Sequence, residues 1–149
     1  MTKQVRRGVF ETNSSSTHSV CVHANARQTY DTIVPDKSGK IVLTGGKFGW
    51  EWEKYTDAAT KANYAAVHAF GKPADMLLLE TVLKEHTGAR EIEFAFTKDY
   101  ESENPSYIDH QSVGMLNEWF TIARLRDFLF DTAVELRTGN DNSESPWFD

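Results

Sequence analysis

The chain predicts an α+β fold in a single domain, with an antiparallel or mixed sheet and three to four helices. Three observations lead there. Residues 90–97, R-E-I-E-F-A-F-T, alternate apolar and polar, with Ile92, Phe94 and Phe96 on one side and Glu91, Glu93 and Ala95 on the other. That period of two marks a half-buried strand, expected to pair antiparallel. Residues 57–87 carry two consecutive helical patterns with start and stop signals. Strands and helices do not alternate one for one along the chain, which argues against a doubly wound parallel sheet.

The elements follow in order. Residues 19–24, S-V-C-V-H-A, alternate and predict a short strand, with Val20, Val22 and Ala24 on one face and Ser19, Cys21 and His23 on the other. Residues 29–34, T-Y-D-T-I-V, are β-branched and aromatic and predict a second strand. Pro35-Asp36-Lys37-Ser38-Gly39 has turn composition, and residues 40–44, K-I-V-L-T, predict a third strand that completes a hairpin. The run Gly45-Gly46-Lys47-Phe48-Gly49-Trp50-Glu51-Trp52-Glu53 reads as a loop with an unusual backbone path, its tryptophans either plugging the core or rimming a pocket. It lacks the G-x-x-x-x-G-K-[ST] spacing of a phosphate-binding P-loop.

Thr56 or Asp57 caps a helix over about 57–70, closed by Gly71 and presenting Ala59, Ala62, Ala66, Ala69 and Phe70. Pro73 opens a second helix over about 73–87, with Met76, Leu79, Leu83 and His86 in one stripe and Gly88 as its stop. Residues 98–106 form a polar loop, and Tyr107-Ile108-Asp109-His110-Gln111-Ser112 is a compact polar cluster. Residues 113–120 and then 121–131 read as helical, the latter through Ile122, Leu125, Phe128 and Leu129. Residues 132–138 alternate as a last strand before the turn Gly139-Asn140-Asp141-Asn142-Ser143. The predicted order is β-β-β-α-α-β-α-α-β.

With 149 residues, one domain with a sizeable core is expected, and 12% aromatic content places much of its volume in Phe, Trp and Tyr. The net charge of -6 argues against non-specific nucleic-acid binding, which needs a broad basic surface. The single cysteine, Cys21, excludes an internal disulfide and a cysteine-built zinc site, and no metal is expected. No apolar run is long enough to span a membrane and no secretory leader pattern follows the N-terminus. A location in the cytoplasm, with no membrane partner, is the expectation.

Residues 10–19, F-E-T-N-S-S-S-T-H-S, concentrate hydroxyls, an amide and an imidazole between Arg6-Arg7 and the apolar Val20-Cys21-Val22. Hydroxyls, backbone N–H groups and an arginine are the groups that hold a phosphate. Phe10 is expected to pin this loop to the core, so that Phe10→Ala lowers the melting temperature.

Four stretches together resemble a family of small, uncharacterised proteins encoded by bacteriophages and prophages. They are residues 7–19 with the F-E-T-N-S-S-S-T-H-S motif, Phe48-Gly49-Trp50-Glu51-Trp52, residues 107–112, and Thr138-Gly139-Asn140-Asp141-Asn142. The resemblance implies a phage gene product working in the cytoplasm of a bacterial host, in host takeover or in anti-defence. It carries over no catalytic residue.

Read as chemistry, these stretches offer candidate ligand-binding residues on loops, where sites are built. Arg7, Asn13, Ser14, Ser15, Ser16 and His18 come from the first stretch, and Trp50 and Glu51 from the second. His110, Asp141 and Asn142 come from the last two. Three tasks fit: a pocket for a nucleotide or phosphorylated metabolite, an acid/base pair of His18 and His110 acting on a phosphodiester, or a divalent metal held by His18, Asp109, His110 and a glutamate with one position open. The spacing selects none of them, and the structural alternative is that the side chains tie loops together. The first expectation is a binding protein without catalysis of its own, acting on a nucleotide-like signal or a host protein. The second is a small hydrolase or nucleotidyl-processing enzyme with His18, His110 and Asp109 as candidate catalytic residues.

Overall fold

Helix α1 (Ala58–Ala69) is the element on which the others pack. Asp57 caps it by accepting from the Thr60 amide. Ala58, Ala62, Ala65, Ala66 and Ala69 are fully buried, and their small side chains let neighbours approach the helix from several sides. The computed structural model describes residues 18–23, 29–49, 53–108 and 114–139. Within them α1 packs against α2 (Pro73–Thr87) and α3 (Ile122–Phe130), which also pack on each other. Pro73 occupies the first turn of α2, and Gly88 ends it at φ 80° with its N–H on the Lys84 carbonyl. Thr121 caps α3 by accepting from the Arg124 amide. Leu125, Phe128, Leu129 and Phe130 are buried, each contributing about 2 kcal/mol of apolar transfer.

Three small sheets surround the helices among the described residues. The antiparallel sheet has the order β1 (Ser19–Val22), β7 (Val134–Thr138), β4 (Glu53–Tyr55). β2 (Lys40–Leu43) pairs in parallel with β5 (Glu91–Phe94), and β3 (Lys47–Phe48) in parallel with β6 (Tyr107–Ile108). The molecule is therefore α+β with mixed pairing, as the sequence predicts. Ile41, Leu43, Ile92 and Leu136 point into the core, while Glu91, Glu93 and Ala95 are exposed.

The main departure is the predicted hairpin. Residues 29–34 form no strand. Their backbone runs beside the α3–β7 turn, with Asp31 N–H donating to the Phe130 carbonyl, Thr132 N–H to the Thr29 carbonyl, and a single bridge between Tyr30 and Asp131. Only Asp31 and Ile33 turn inward there, Ile33 half-buried against the core, while Tyr30 and Val34 are largely exposed, so β-propensity has one apolar side chain to bury. The Asp36 turn does form, its carboxylate accepting from the amides of Ser38 and Lys40. It leads β2 onto β5 instead, so β5 is parallel to its neighbour and not antiparallel as expected. The described part of the expected helix over residues 113–120 is a turn and a 3-10 helix, Asn117–Trp119. Ile122, an apolar position of the predicted helix, is exposed, and so is Val22 at the end of β1. His86, at the end of the α2 stripe, stacks on the buried Phe130 of α3 at 3.7 Å between centroids. The short strands β3, β4 and β6 fall where the sequence predicts no strand.

Candidate functional site

The four motif stretches have described residues at their borders, and the pairing registers bring those borders together. His18 precedes β1, and Ser19 lies opposite Arg137. On the other side of β7, Glu53 lies opposite Thr138. The start of β1, the start of β4 and the end of β7 thus share one end of the antiparallel sheet. β3 and β6 end in register at Phe48 and Ile108. The Phe48 ring sits edge-on to Tyr55 of β4 at 6.3 Å and to Tyr64 of α1 at 4.9 Å. His18 joins the same cluster: Nδ1 lies 2.8 Å from the Tyr64 hydroxyl. His18 and Phe48 therefore meet at Tyr64, with Ile108 paired to Phe48, and Glu53 and Thr138 paired at the end of the sheet where β1 starts.

Of the candidate site residues, His18 is described. It is buried, and so is Tyr64, whose phenol is held neutral by burial pushing its pKa up. A neutral hydroxyl against the imidazole fastens the start of β1 to α1, a positioning role for His18. Arg7, Asn13, Ser14, Ser15, Ser16, Trp50, Glu51, Asp109, His110, Asp141 and Asn142 lie outside the described residues, as does the Phe10 anchor.

A cleft of about 540 Å³ opens nearby, at the carboxyl ends of β2 and β5. Thr44, Lys47, Thr97, Asn104 and Ser106 supply its polar lining and Phe96 an aromatic wall. Among its lining residues Lys47 is the one with an ionisable side chain, so the cleft suits an anionic or neutral small molecule and offers no acid/base pair. The glycines before it are a packing requirement. Gly45 has φ +73°, and a Cβ there would sit 2.3 Å from Ser106 Oγ and 2.8 Å from Phe96 Cγ. Gly46 N–H donates to Ser106 Oγ at 3.0 Å. In the sequence the Gly-Gly pair reads as an unusual backbone path, whereas Thr97, Asn104 and Ser106 carry no signal of a cleft; the loop that holds them is closed by the Ser106 N–H donating to the Thr97 carbonyl.

Two further buried groups carry shifted proton affinities. Lys61 Nζ donates to the carbonyls of Asp131 at 3.0 Å and Val134 at 2.9 Å, and burial lowers its pKa to about 8 against the pull of Asp131, Asp57 and Asp31. His68 is lowered to about 4 by burial first and then by Lys72 and Lys98, with Asp75 opposing. Both are buried side chains of α1. No helix among the described residues is long and apolar enough to cross a membrane. No protein-family model, no curated protein and no solved structure matches the chain.

Proposed function

We propose that this is a phage-encoded binding protein that acts in a bacterial host without catalysis of its own, and that its ligand is a nucleotide-like, phosphorylated small molecule. The observation that supports it is the meeting of the motif borders: His18, Phe48, Glu53, Ile108 and Thr138 gather around Tyr64 and one end of the antiparallel sheet. Stretches rooted at one place can contribute to one site. In this reading Arg7, Asn13 and the hydroxyls of Ser14, Ser15 and Ser16 hold the phosphate, as charge-assisted and neutral donors do elsewhere. Trp50 stacks on the base, and Glu51, His110, Asp141 and Asn142 bind polar edges. The phage context and the role against a host component rest on the family resemblance of those stretches.

The test is a screen of the purified full chain by native mass spectrometry and thermal unfolding. The probes are nucleoside mono-, di- and triphosphates and cyclic dinucleotides, with a bacterial lysate alongside. A retained nucleotide-like mass is expected. At 100 times its Kd such a ligand stabilises the fold by about 2.7 kcal/mol. Turnover of a nucleotide or phosphodiester without a lasting complex would reject the reading in favour of the hydrolase. Capture of a host protein with no nucleotide bound would replace the ligand class.

A further inference from the structure

The outer face of the β1–β7 ladder gathers three metal-ligating side chains that lie far apart in sequence. Cys21 and His23 are two residues apart in extended chain, so they project to the same face. The antiparallel register sets Glu135 directly opposite Cys21. His23 continues the ladder, its N–H donating to the Ala133 carbonyl at 2.9 Å. One imidazole nitrogen, the thiol sulfur and a carboxylate oxygen all lie within 4.8 Å of one another. His23 Nε2 is 3.1 Å from Glu135 Oε1. Bonds of about 2.0–2.3 Å to a tetrahedral centre require ligand atoms roughly 3.3–3.8 Å apart, so small side-chain rotations close the cluster around an ion.

We propose that Cys21, His23 and Glu135 bind a zinc-type divalent cation on this face, with a fourth position open to water. The site stands at the other end of β1 from the motif borders and does not depend on the ligand-binding reading. It also departs from the expectation of no metal: the single cysteine rules out a site built of cysteines, and the mixed site becomes visible only when folding brings Glu135 to Cys21. Thiolate with imidazole and carboxylate is the donor set of a borderline-soft ion such as Zn²⁺, whereas Ca²⁺ and Mg²⁺ take oxygen. On binding, the Cys21 thiol forms an S–metal bond and gives up its proton to solvent, and the His23 imidazole binds neutral.

Arg137 belongs to the same face, with Nε 2.7 Å from Glu135 Oε1. Burial works to raise the Glu135 pKa, but hydrogen bonds from Arg137 and His23 outweigh it, leaving the group lowered and the carboxylate ionised. Arg137 thus orients the carboxylate, as partners of metal ligands do, and an ion takes over the contact that His23 makes with Glu135. The His23 side chain is 40% exposed, so the site opens to solvent while Val20 and Leu136 face the core behind it.

The test uses the full chain, reduced and freed of metal by a chelator, titrated with Co²⁺ alone and then with Zn²⁺ as competitor. The signal is the thiolate-to-cobalt charge-transfer absorption. The expected result is a saturable band at one equivalent that Zn²⁺ displaces and that is absent in Cys21→Ser. In His23→Asn and Glu135→Gln the midpoint should move by about tenfold or more. To separate loss of the site from loss of the fold, alkylation of Cys21 is timed in the unsubstituted protein, and saturating Zn²⁺ should slow it by about tenfold or more, since the bound thiolate is no longer available. Cobalt binding without a thiolate band, an alkylation rate unchanged by Zn²⁺, or unaltered midpoints in both His23→Asn and Glu135→Gln would overturn the proposal.

Discussion

Lys61 carries its ammonium into the core between α1 and the α3–β7 turn, where two backbone carbonyls accept from it and the Phe128 ring lies 5.8 Å away. Lys61→Met keeps the length of the side chain but leaves both carbonyls without this donor. The cost of an unmet buried acceptor outweighs the relief of removing a buried charge, and a loss of about 2 kcal/mol at neutral pH is expected in chemical denaturation. Stability unchanged or raised in Lys61→Met would show that desolvation of the ammonium dominates. His68 gives a pH signature. Its folded pKa, about 4, lies below the usual 6.5 because burial, Lys72 and Lys98 disfavour the charged ring more than Asp75 favours it. The unfolded chain then binds the proton first, so this group's contribution is complete above pH 6.5 and is lost as pH falls from 6.5 to 4. In His68→Phe, denaturation midpoints should fall less steeply across that window than in the unsubstituted protein, and parallel slopes would contradict the assignment. At this scale the sequence was partly legible. His18 stood out within its polar run, but its anchoring role depends on Tyr64, 46 residues away.

At the scale of elements, α1 and α2 were readable because their signals are local: Asp57 caps one, and Pro73 and Gly88 bound the other. Strand existence was readable too for β1, β2, β5 and β7. Strand partnership was not. β2 and β5 are separated by both helices, and parallel pairing over that distance follows from how α1 and α2 pack, which alternation does not encode. Strands of two or three residues, such as β3, β4 and β6, are too short to show a period. Two glycines at element ends separate backbone strain from crowding. Gly88 has φ +80° with nothing within 4 Å of an added Cβ, so Gly88→Ala should cost about 1 kcal/mol from strain alone. Gly45 has a similar φ but meets Ser106 and Phe96, so Gly45→Ala should cost about 3 kcal/mol as the β3–β6 pair and the cleft are pushed apart. Equal losses in the two variants, measured by thermal and chemical unfolding, would show that the β3–β6 region yields freely.

Across the whole molecule, the antiparallel sheet joins two distinct places. One end of it, with Tyr64 and the ends of β3 and β6, gathers the borders of the four motif stretches. The far end of the β1–β7 ladder carries Cys21, His23 and Glu135 on its outer face. The stretches were visible in the sequence as polar, glycine-rich and tryptophan-bearing segments. That their borders meet was not visible, because the meeting is a property of register: Ser19 with Arg137, Glu53 with Thr138, Phe48 with Ile108. The central claim is that these stretches serve one binding event. Isothermal titration with the nucleotide that the screen retains tests it most directly, in Ser15→Ala, Glu51→Gln, His110→Ala and Asn142→Ala, one variant per stretch. The account predicts that each weakens the same event by about tenfold, or 1.4 kcal/mol, while thermal unfolding without ligand stays within about 0.5 kcal/mol of the unsubstituted protein. Unchanged affinity in variants from two or more stretches, with the fold intact, would contradict a single shared site.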